Sequence, residues 1–338
     1  MAEQNTARAF WVREPGRGAI VGETLAAPAE GEVRVRALYS AVSRGTESLV
    51  FRGEVPVALA ASMRCPHQTG EFPGPVKYGY ASVGVVEAGR GAAAEALVGR
   101  EILCLYPHQD RYVVPAADVV PLPAGLPAER AVLAPNLETA VNGVWDSGAG
   151  VGDRVAVVGA GVVGSLVAWL CSATVGSEVL AIDPEPSRAE VAEALGFRWA
   201  PEAPRDFEAD VVVHASATEA GLRTALELAG VESRVVELSW FGARPVSVPL
   251  GGAFHPRRIT IRSSQVGRLP PERAPRWDHR RRMELALRLL REPALDALIR
   301  SESAFDDLPQ VLETLAASSG GDVLCHRVVY RQPTEDEA

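Results

Sequence analysis

Lysine is almost absent from this sequence. Lys77 is the single lysine among 34 basic side chains, and all the others are arginines. Acidic residues outnumber basic ones by 43 to 34, which gives a formal net charge of −9. A chain with this balance is not expected to bind nucleic acid or an anionic membrane surface.

Cysteine is scarce as well. The chain has four cysteines, and no two of them form a Cys-x-x-Cys pair: Cys65, Cys104, Cys171 and Cys325. Their spacing excludes a disulfide framework and most cysteine zinc sites, and it favours a reducing, cytoplasmic compartment. The first residues contain no apolar segment of the kind that a secretory signal needs, so we expect no such signal.

Long uncharged runs are limited to one candidate. Residues 155–177 carry no charge over 23 positions, a length that could cross a bilayer. The run consists of a β-branched segment, a glycine turn and an apolar stretch, which is typical of a buried strand and helix in an α/β sheet. We therefore predict no membrane span. With 47% hydrophobic and 23% charged residues, the chain can bury a sizeable core.

The pattern of elements changes about one third of the way along the chain. Short strands bounded by glycine or proline dominate residues 1–123, and helices alternate with apolar strands in residues 124–267. Such alternation predicts a doubly wound parallel sheet. Residues 268–338 end in a strand and are predicted to return to the first domain. The main predicted elements are strands at 32–38, 81–87, 111–115, 154–158, 178–182, 210–214, 234–238 and 259–266, and helices at 128–145, 161–173, 219–228 and 279–291.

A dinucleotide-binding motif lies between a predicted strand and a predicted helix. Gly159 permits the tight turn, Gly161 lets a pyrophosphate approach the backbone, and Gly164 lets helix and strand pack closely. The amide groups of Val162 and Val163 begin the helix, whose positive end faces the phosphates. The sequence therefore predicts a site for NAD or NADP.

Further cofactor contacts are expected from the next strands. Asp183 ends the strand that follows the motif, where its carboxylate can accept both ribose hydroxyls and would repel a 2′-phosphate. This favours NAD over NADP. Arg188 is either an adenine or ribose contact or a solvent-exposed arginine at a helix start. His214, Ala215 and Ser216 follow the fourth strand of the alternating segment, and we expect them to line the cofactor cleft.

These features resemble the medium-chain dehydrogenase/reductase superfamily, which includes the zinc alcohol dehydrogenases. The resemblance rests on the motifs Arg44-Gly-Thr-Glu47, Gly79-Tyr80-Ala-Ser-Val-Gly-Val-Val86, Tyr112-Val-Val-Pro115 and the Gly159–Gly164 loop. It implies an α/β protein in which a doubly wound Rossmann sheet is inserted into a β-rich, GroES-like catalytic domain. It also implies that Ser239, Trp240 and Ser264 lie in segments whose backbone meets the nicotinamide.

The zinc ligands of that family are replaced in this sequence. Zinc members have Cys-Gly-Thr-Asp where this chain has Arg44-Gly-Thr-Glu47, and Gly-His-Glu where it has Gly79-Tyr80-Ala81. Their third protein ligand aligns near Pro135. Arginine, tyrosine and proline do not bind Zn²⁺, which prefers thiolate, imidazole or carboxylate. The lobe with four cysteines is also missing, so we expect neither zinc ion.

Other side chains are candidates for the catalytic role of the metal. Arg44 and Tyr80 offer a cation and a phenol donor for a developing alkoxide, if they point into the vacated ligand space. The resemblance implies a proton relay at Thr46. Lys77 could lower the pKa of Tyr80 or act as the acid, and Glu138 could hold Arg44 in a buried pair. The alternative for Tyr80 is a packed core aromatic, and for Arg44 it is a surface residue.

The sequence thus predicts a zinc-independent NAD(H)-dependent oxidoreductase that interconverts a secondary alcohol and a ketone on a small polar or anionic metabolite. Two alternatives stay open: a zinc-free enoyl or quinone reductase, and a nucleotide-binding protein without catalysis. The resemblance implies a homodimer formed through an edge of the Rossmann sheet, with 259–266 as the candidate strand. The arginine-rich stretch Arg257–Arg282 is interpreted as a solvated face or a subunit contact.

Overall fold

The computed structural model describes residues 6–317 and 323–331. The chain divides into two compact units. The first contains Met1–Pro135, Leu287–Arg291 and Ile299–Ala338, and the second contains Asn136–Ala286 and Glu292–Leu298. The chain thus leaves the first unit at Asn136, returns to it at Leu287, and leaves it once more for the short segment Glu292–Leu298.

Antiparallel strands form most of the first unit, in two sheets. One sheet has the order β2-β1-β5-β4, and the other has the order β16-β17-β3-β6-β7-β9, with β8 also paired to β3. The strands are β1 (Thr6–Glu14), β2 (Arg17–Thr24), β3 (Glu32–Val42), β4 (Thr69–Gly70), β5 (Val76–Lys77), β6 (Ser82–Gly89), β7 (Glu101–Cys104), β8 (Arg111–Pro115), β9 (Val119–Pro121), β16 (Ile299–Ala304) and β17 (Cys325–Val329).

Strand β3 organises this unit because three strands pair with it. Its alternate residues Val33, Val35 and Ala37 are buried, so one face lies in the core as the two-residue period requires. The helices of the unit are α1 (Arg44–Phe51), α2 (Ala60–Met63), α3 (Ala92–Glu95), α4 (Ala128–Ala131) and α10 (Leu308–Ala317). Helix α1 follows β3 directly, and this connection places its first turn beside the end of the central strand.

A six-stranded parallel sheet forms the second unit. Its order is β12-β11-β10-β13-β14-β15, the order of a complete doubly wound dinucleotide-binding sheet. The strands are β10 (Arg154–Val158), β11 (Glu178–Ile182), β12 (Arg198–Ala200), β13 (Ala209–His214), β14 (Ala229–Glu237) and β15 (Thr260–Ser263). The remaining helices are α5 (Ala134–Ser147), α6 (Val162–Ser172), α7 (Arg188–Leu195), α8 (Glu219–Leu228) and α9 (His279–Leu289). The predicted fold class is confirmed.

The uncharged run 155–177 is divided between two buried elements. Val155, Ala156 and Val157 of β10 are fully buried, as are Leu166 and Val167 of α6. A central parallel strand with helices on its faces has no solvent-facing side, which explains the missing charges. Within the described residues, no helix combines the length and apolar character that a membrane span requires.

Two elements differ from the sequence-based expectation. The helix predicted over 128–145 is interrupted at Val132 and Leu133, and α5 begins anew at Ala134. Pro135 explains the break, because proline fits the first turn of a helix and disrupts an interior position. The edge strand predicted over 259–266 is shorter, from Thr260 to Ser263. The hairpin β1–β2 was not predicted.

Candidate functional site

The glycine-rich loop between β10 and α6 has the geometry that a pyrophosphate requires. Gly159 has a φ of +99°, and a Cβ there would lie 2.6 Å from the Ser216 nitrogen. A Cβ at Gly164 would lie 1.8 Å from the Gly159 oxygen, whereas a Cβ at Gly161 would have nothing within 4 Å. Two glycines therefore permit close packing, and the third leaves its backbone open at the N-terminus of α6, which begins with Val162 and Val163.

Asp183 lies immediately after β11, next to this loop. Its Oδ2 accepts a hydrogen bond from the Ala160 nitrogen at 2.8 Å, and its Oδ1 accepts one from the Glu185 nitrogen at 3.0 Å. Each carboxylate oxygen retains a further lone pair, and the side chain is half-exposed. The loop and Asp183 together fit the pyrophosphate and ribose of a dinucleotide.

The loops that follow β13 and β14 are joined by a polar network. His214 Nδ1 lies 2.7 Å from Glu237 Oε2, and its Nε2 lies 2.7 Å from Ser216 Oγ. The Ser239 nitrogen donates to Glu237 Oε1 at 2.7 Å, and the Ala217 nitrogen donates to Ser239 Oγ at 3.0 Å. The network fixes two adjacent loops at the carboxyl edge of the sheet, where dinucleotides bind in such folds.

This network corrects the role expected for two residues. The His214 ring is fully buried with both nitrogens engaged, so it positions the loops and does not line an open cleft. The Ser216 hydroxyl faces the first turn of α8, because a Cβ at Gly221 would lie 2.1 Å from it. Ser216 and Ala215 approach the glycine loop through their backbone. Trp240 is half-buried.

Arg188 at the start of α7 is only 5% exposed. The alternative of a solvent-exposed arginine is therefore wrong. Its guanidinium Nη1 lies 3.5 Å from the Ser187 hydroxyl oxygen.

A buried ion pair connects α5 with α9 in the second unit. Arg282 Nε donates to Glu138 Oε1 at 3.1 Å, and both side chains are at least 90% buried. The same guanidinium donates to the side-chain oxygen of Asn142 and to the Val266 carbonyl. Burial raises the pKa of Glu138, and the charge of Arg282 opposes that shift. The partner of Glu138 is therefore Arg282, in place of the Arg44 expected from the sequence.

Ser264 lies next to this pair. Its hydroxyl donates to Asp146 Oδ2 at 2.7 Å, and its nitrogen donates to the Glu237 carbonyl at 2.9 Å. Arg282, Asn142 and Asp146 thus hold residues 264–266, which include Ser264, the residue expected at the cofactor. These three residues could not be recognised from the sequence, because the contacts of Asp146 with Ser264 and of Arg282 with Asn142 span 118 and 140 positions along the chain.

The first unit contains a buried polar cluster below the first turn of α1. Glu47 Oε2 lies 2.8 Å from His108 Nε2, and Glu47 Oε1 accepts from the Ser43 nitrogen at 2.7 Å. His108 Nδ1 lies 2.7 Å from Ser40 Oγ, which lies 3.0 Å from the Tyr330 hydroxyl. A Cβ at Gly79 would lie 2.9 Å from the His108 ring, so the glycine before Tyr80 is required by this packing.

Tyr80 lies against the same turn. The side chains of Ser43 and Thr46 lie near its hydroxyl and favour a lower pKa, but burial and the nearby Glu47 charge outweigh them and raise the pKa of Tyr80 to about 12. Tyr80 therefore stays protonated at neutral pH and acts as a hydrogen-bond donor. Tyr80, which lies between β5 and β6, is thus near Thr46 on the first turn of α1, the helix that Arg44 begins.

Arg44 itself is half-exposed. Its Nη1 donates to the Val323 carbonyl at 3.3 Å, and no carboxylate of the described residues pairs with it. The carboxylate of Glu47, one helix turn away, is already bound to Ser43 and His108. The guanidinium therefore retains donors for an anionic ligand.

Lys77 does not join this group. Its Nζ donates to Glu23 Oε2 at 2.8 Å and to Gln109 Oε1 at 2.7 Å, and the side chain is buried. The Lys77 Nζ lies 5.7 Å from the centre of the Trp11 ring and 5.9 Å from the centre of the Tyr106 ring. Lys77 is not among the groups that shift the pKa of Tyr80, and both of these hydrogen bonds of its amine go to other residues. A buried amine with two partners holds strands together.

The known proteins to which this chain is similar in sequence include sugar dehydrogenases. The chain is 24% identical to D-guloside 3-dehydrogenase of Escherichia coli over 285 residues, 77% of this chain and 81% of that protein. It is 28% identical to 2-dehydro-3-deoxy-L-galactonate 5-dehydrogenase of Pseudoalteromonas atlantica over 148 residues. That match spans 40% of this chain and 43% of the relative. No protein-family model matches the chain.

Solved structures of dehydrogenases superimpose over nearly the whole chain. An alcohol dehydrogenase from E. coli in complex with NADH matches with a TM-score of 0.75 and 16% identity, covering 96% of this chain and 99% of that one. A zinc-binding dehydrogenase from Sinorhizobium meliloti bound to NADP matches with a TM-score of 0.76 and 18% identity, with the same coverage. The chain has the medium-chain dehydrogenase/reductase fold.

The side chains at the positions expected for zinc ligands are not zinc-binding residues in this chain. Arginine, tyrosine and proline stand at positions 44, 80 and 135, where zinc members carry their ligands. Nowhere in 6–317 or 323–331 do three or more histidine, cysteine, aspartate or glutamate side chains come together as metal ligands. The side chains at these positions do not fit a catalytic zinc ion.

Proposed function

We propose that this chain is a zinc-independent, NAD(H)-dependent oxidoreductase that interconverts a secondary alcohol and a ketone on a small polar or anionic metabolite. Similarity to sugar dehydrogenases over most of the chain supports an oxidoreductase of the dehydrogenase type. Solved structures of this fold hold NADH or NADP, which supports a nicotinamide cofactor. The glycine loop of this chain fits such a cofactor by its own geometry.

The observation that carries the proposal is the position of Tyr80. Its hydroxyl lies near the side chains of Ser43 and Thr46, and its raised pKa keeps it protonated. A protonated phenol in a partly buried site stabilises a developing alkoxide by donating a hydrogen bond, the task that a metal performs in zinc members. The hydroxyl of Thr46 can pass a proton to or from the phenol oxygen.

A bound nicotinamide supplies the hydride acceptor for alcohol oxidation and the hydride donor for ketone reduction. The chain's own residues bind and orient the reactants. Asp183 binds the ribose hydroxyls, and the amides at the start of α6 bind the pyrophosphate. A carboxylate at position 183 repels the 2′-phosphate of NADP, so we propose NAD as the preferred cofactor.

Arg44 supports the polar or anionic character of the substrate. A half-exposed guanidinium with one hydrogen bond and no carboxylate partner in the described part of the chain favours binding of a carboxylate. Arg44 lies two residues before Thr46 at the start of α1. The curated relative from P. atlantica is a galactonate dehydrogenase by name, which agrees with an acidic sugar as a substrate class.

The test is turnover with and without metal removal. The purified chain is assayed with NAD and NADP against polyols, sugar acids, simple secondary alcohols and enones, before and after treatment with a strong chelator. We expect NAD-linked oxidation of polyols or sugar acids that the chelator leaves unchanged, with well under one equivalent of zinc by elemental analysis. Stoichiometric zinc whose removal abolishes turnover, or activity confined to enones, would overturn the proposal.

A further inference from the structure

The arginine-rich stretch Arg257–Arg282 contains two kinds of arginine. Five of its nine arginines pair with carboxylates: Arg257 with Glu208, Arg258 with Glu232, Arg262 with Asp146, Arg280 with Glu284, and Arg282 with Glu138. The other four, at positions 268, 273, 276 and 281, are exposed and have no carboxylate partner among the described residues. The charge of these four is available to a ligand.

Two of the four arginines are stacked on tryptophans. The Arg273 guanidinium carbon lies 5.1 Å from the centre of the Trp145 ring, and that of Arg281 lies 4.1 Å from the Trp277 ring. The two tryptophan rings lie 4.8 Å apart. We refer to Arg273, Trp145, Trp277 and Arg281 as the arginine–tryptophan stack. Its rings are half-buried and its guanidinium groups are exposed.

The stack is anchored to the frame of the second unit. Trp145 lies on α5, next to Asp146, which binds Arg262 at 2.8 Å and the Ser264 hydroxyl at 2.7 Å. Arg281 donates from its side chain to the Arg276 carbonyl, and its nitrogen donates to Asp278 Oδ1 at 2.7 Å. The Arg281 guanidinium is therefore held before any ligand arrives, which lowers the entropy lost on binding.

We propose that the arginine–tryptophan stack is a docking surface for an acidic segment of a partner protein. Arginine and tryptophan are the residues enriched at the energetic centres of protein interfaces, and a planar guanidinium binds a carboxylate through two parallel hydrogen bonds. Exposed Glu272 and Asp278 lie between the arginines and would repel phosphates that follow one another without a gap, as in a nucleic acid. A peptide can place its carboxylates at the arginine positions alone. This surface is independent of the proposed reaction.

The experiment measures binding of two labelled probes to the full chain by fluorescence anisotropy. One probe is a glutamate-rich peptide of about 20 residues, and the other is single-stranded DNA of matched charge. We expect the peptide to bind more tightly than the DNA, and its affinity to fall with salt. The double variant Arg273→Glu with Arg281→Glu should weaken peptide binding by more than about tenfold.

A second pair of variants separates stacked guanidinium groups from charge alone. Arg273→Lys with Arg281→Lys keeps both charges but removes the planar groups, and we expect a loss of about three- to tenfold. Arg223→Lys is the matched control, because Arg223 is exposed on α8 of the same unit, and it should bind as the wild type does. Circular dichroism checks that each variant is folded.

Three outcomes would overturn the proposal. They are absence of peptide binding, tighter binding of the DNA than of the peptide, and full affinity in the lysine variant. The second outcome would assign the surface to nucleic acid. Retention of dehydrogenase turnover in all of these variants is expected and separates this surface from the proposed reaction.

Discussion

The hydroxyl group of Tyr80 separates its proposed role in the reaction from a role in packing alone. Tyr80→Phe keeps the ring and removes the phenol oxygen that lies near Ser43 and Thr46. We expect turnover to fall by about 100- to 1000-fold, the scale of one oxyanion donor, with NAD affinity changed by no more than a few-fold. Steady-state kinetics and cofactor titration measure both values.

Tyr78→Phe is the matched control for Tyr80. The two rings lie 6.1 Å apart, and the Tyr78 hydroxyl donates to the Met63 carbonyl. Its loss should leave turnover near that of the wild type. Because the raised pKa of Tyr80 is about 12, the phenol stays protonated below that value, and turnover should show no alkaline decline from Tyr80 below pH 10. If Tyr80→Phe keeps turnover near that of the wild type, as Tyr78→Phe is expected to do, Tyr80 is a packing residue.

We expect Asp183 to control the choice between NAD and NADP. Asp183→Ser should weaken NAD binding and improve NADP binding, a differential of roughly 1–3 kcal/mol from the lost charged hydrogen bonds and the lost repulsion. The ratio of kcat/KM for the two cofactors measures it. Asp206→Ser, an exposed aspartate of the same unit, should leave the ratio unchanged. A wild type that already prefers NADP contradicts this assignment.

The β10–α6 element offers a pair of glycines with opposite consequences. Gly161→Ala meets no neighbour and has an ordinary φ of −68°, so the melting temperature should stay the same. Its methyl group would occupy the open face, and NAD affinity should fall by about tenfold or more. Gly164→Ala would collide with the Gly159 carbonyl and should destabilise the fold by about 1–3 kcal/mol.

Thermal melts and cofactor titrations of both glycine variants test this difference. A Gly161→Ala protein with unchanged NAD affinity would show that no phosphate approaches this backbone. A Gly164→Ala protein with an unchanged melting temperature would mean that α6 can shift away from the strand.

At the scale of elements, local patterns predicted the parallel sheet well. Strand, glycine motif, helix and terminal Asp183 are contiguous in sequence, so their geometry follows from short-range rules. The environment of the catalytic candidates was not predictable in this way. His108 reaches Glu47 across 61 positions, and Arg282 reaches Glu138 across 144. A run of arginines indicates exposure, and only the folded chain shows that Arg282 within it is 1% exposed.

At the scale of the whole molecule, the edge strand β15 of the six-stranded sheet predicts that two copies of the chain form a dimer. Strand β15 is the last in the order and pairs with β14 on one side only among the described strands, and its Ile261 is 37% exposed. We expect a second copy to cover this edge, because open strands promote uncontrolled association. Light scattering at micromolar concentration should give twice the chain mass of 35.9 kDa. A monomer would contradict the expectation.

The burial of Lys77 gives this molecule an unusual pattern of protease sensitivity. A lysine-specific endoprotease has one side chain to recognise in the whole sequence, and that side chain is 4% exposed in β5, paired with β1 and β4. Digestion should leave the folded chain intact and yield two fragments, cut between Lys77 and Tyr78, only when this small sheet opens. The rate at which the fragments appear would therefore measure how often this part of the first unit opens.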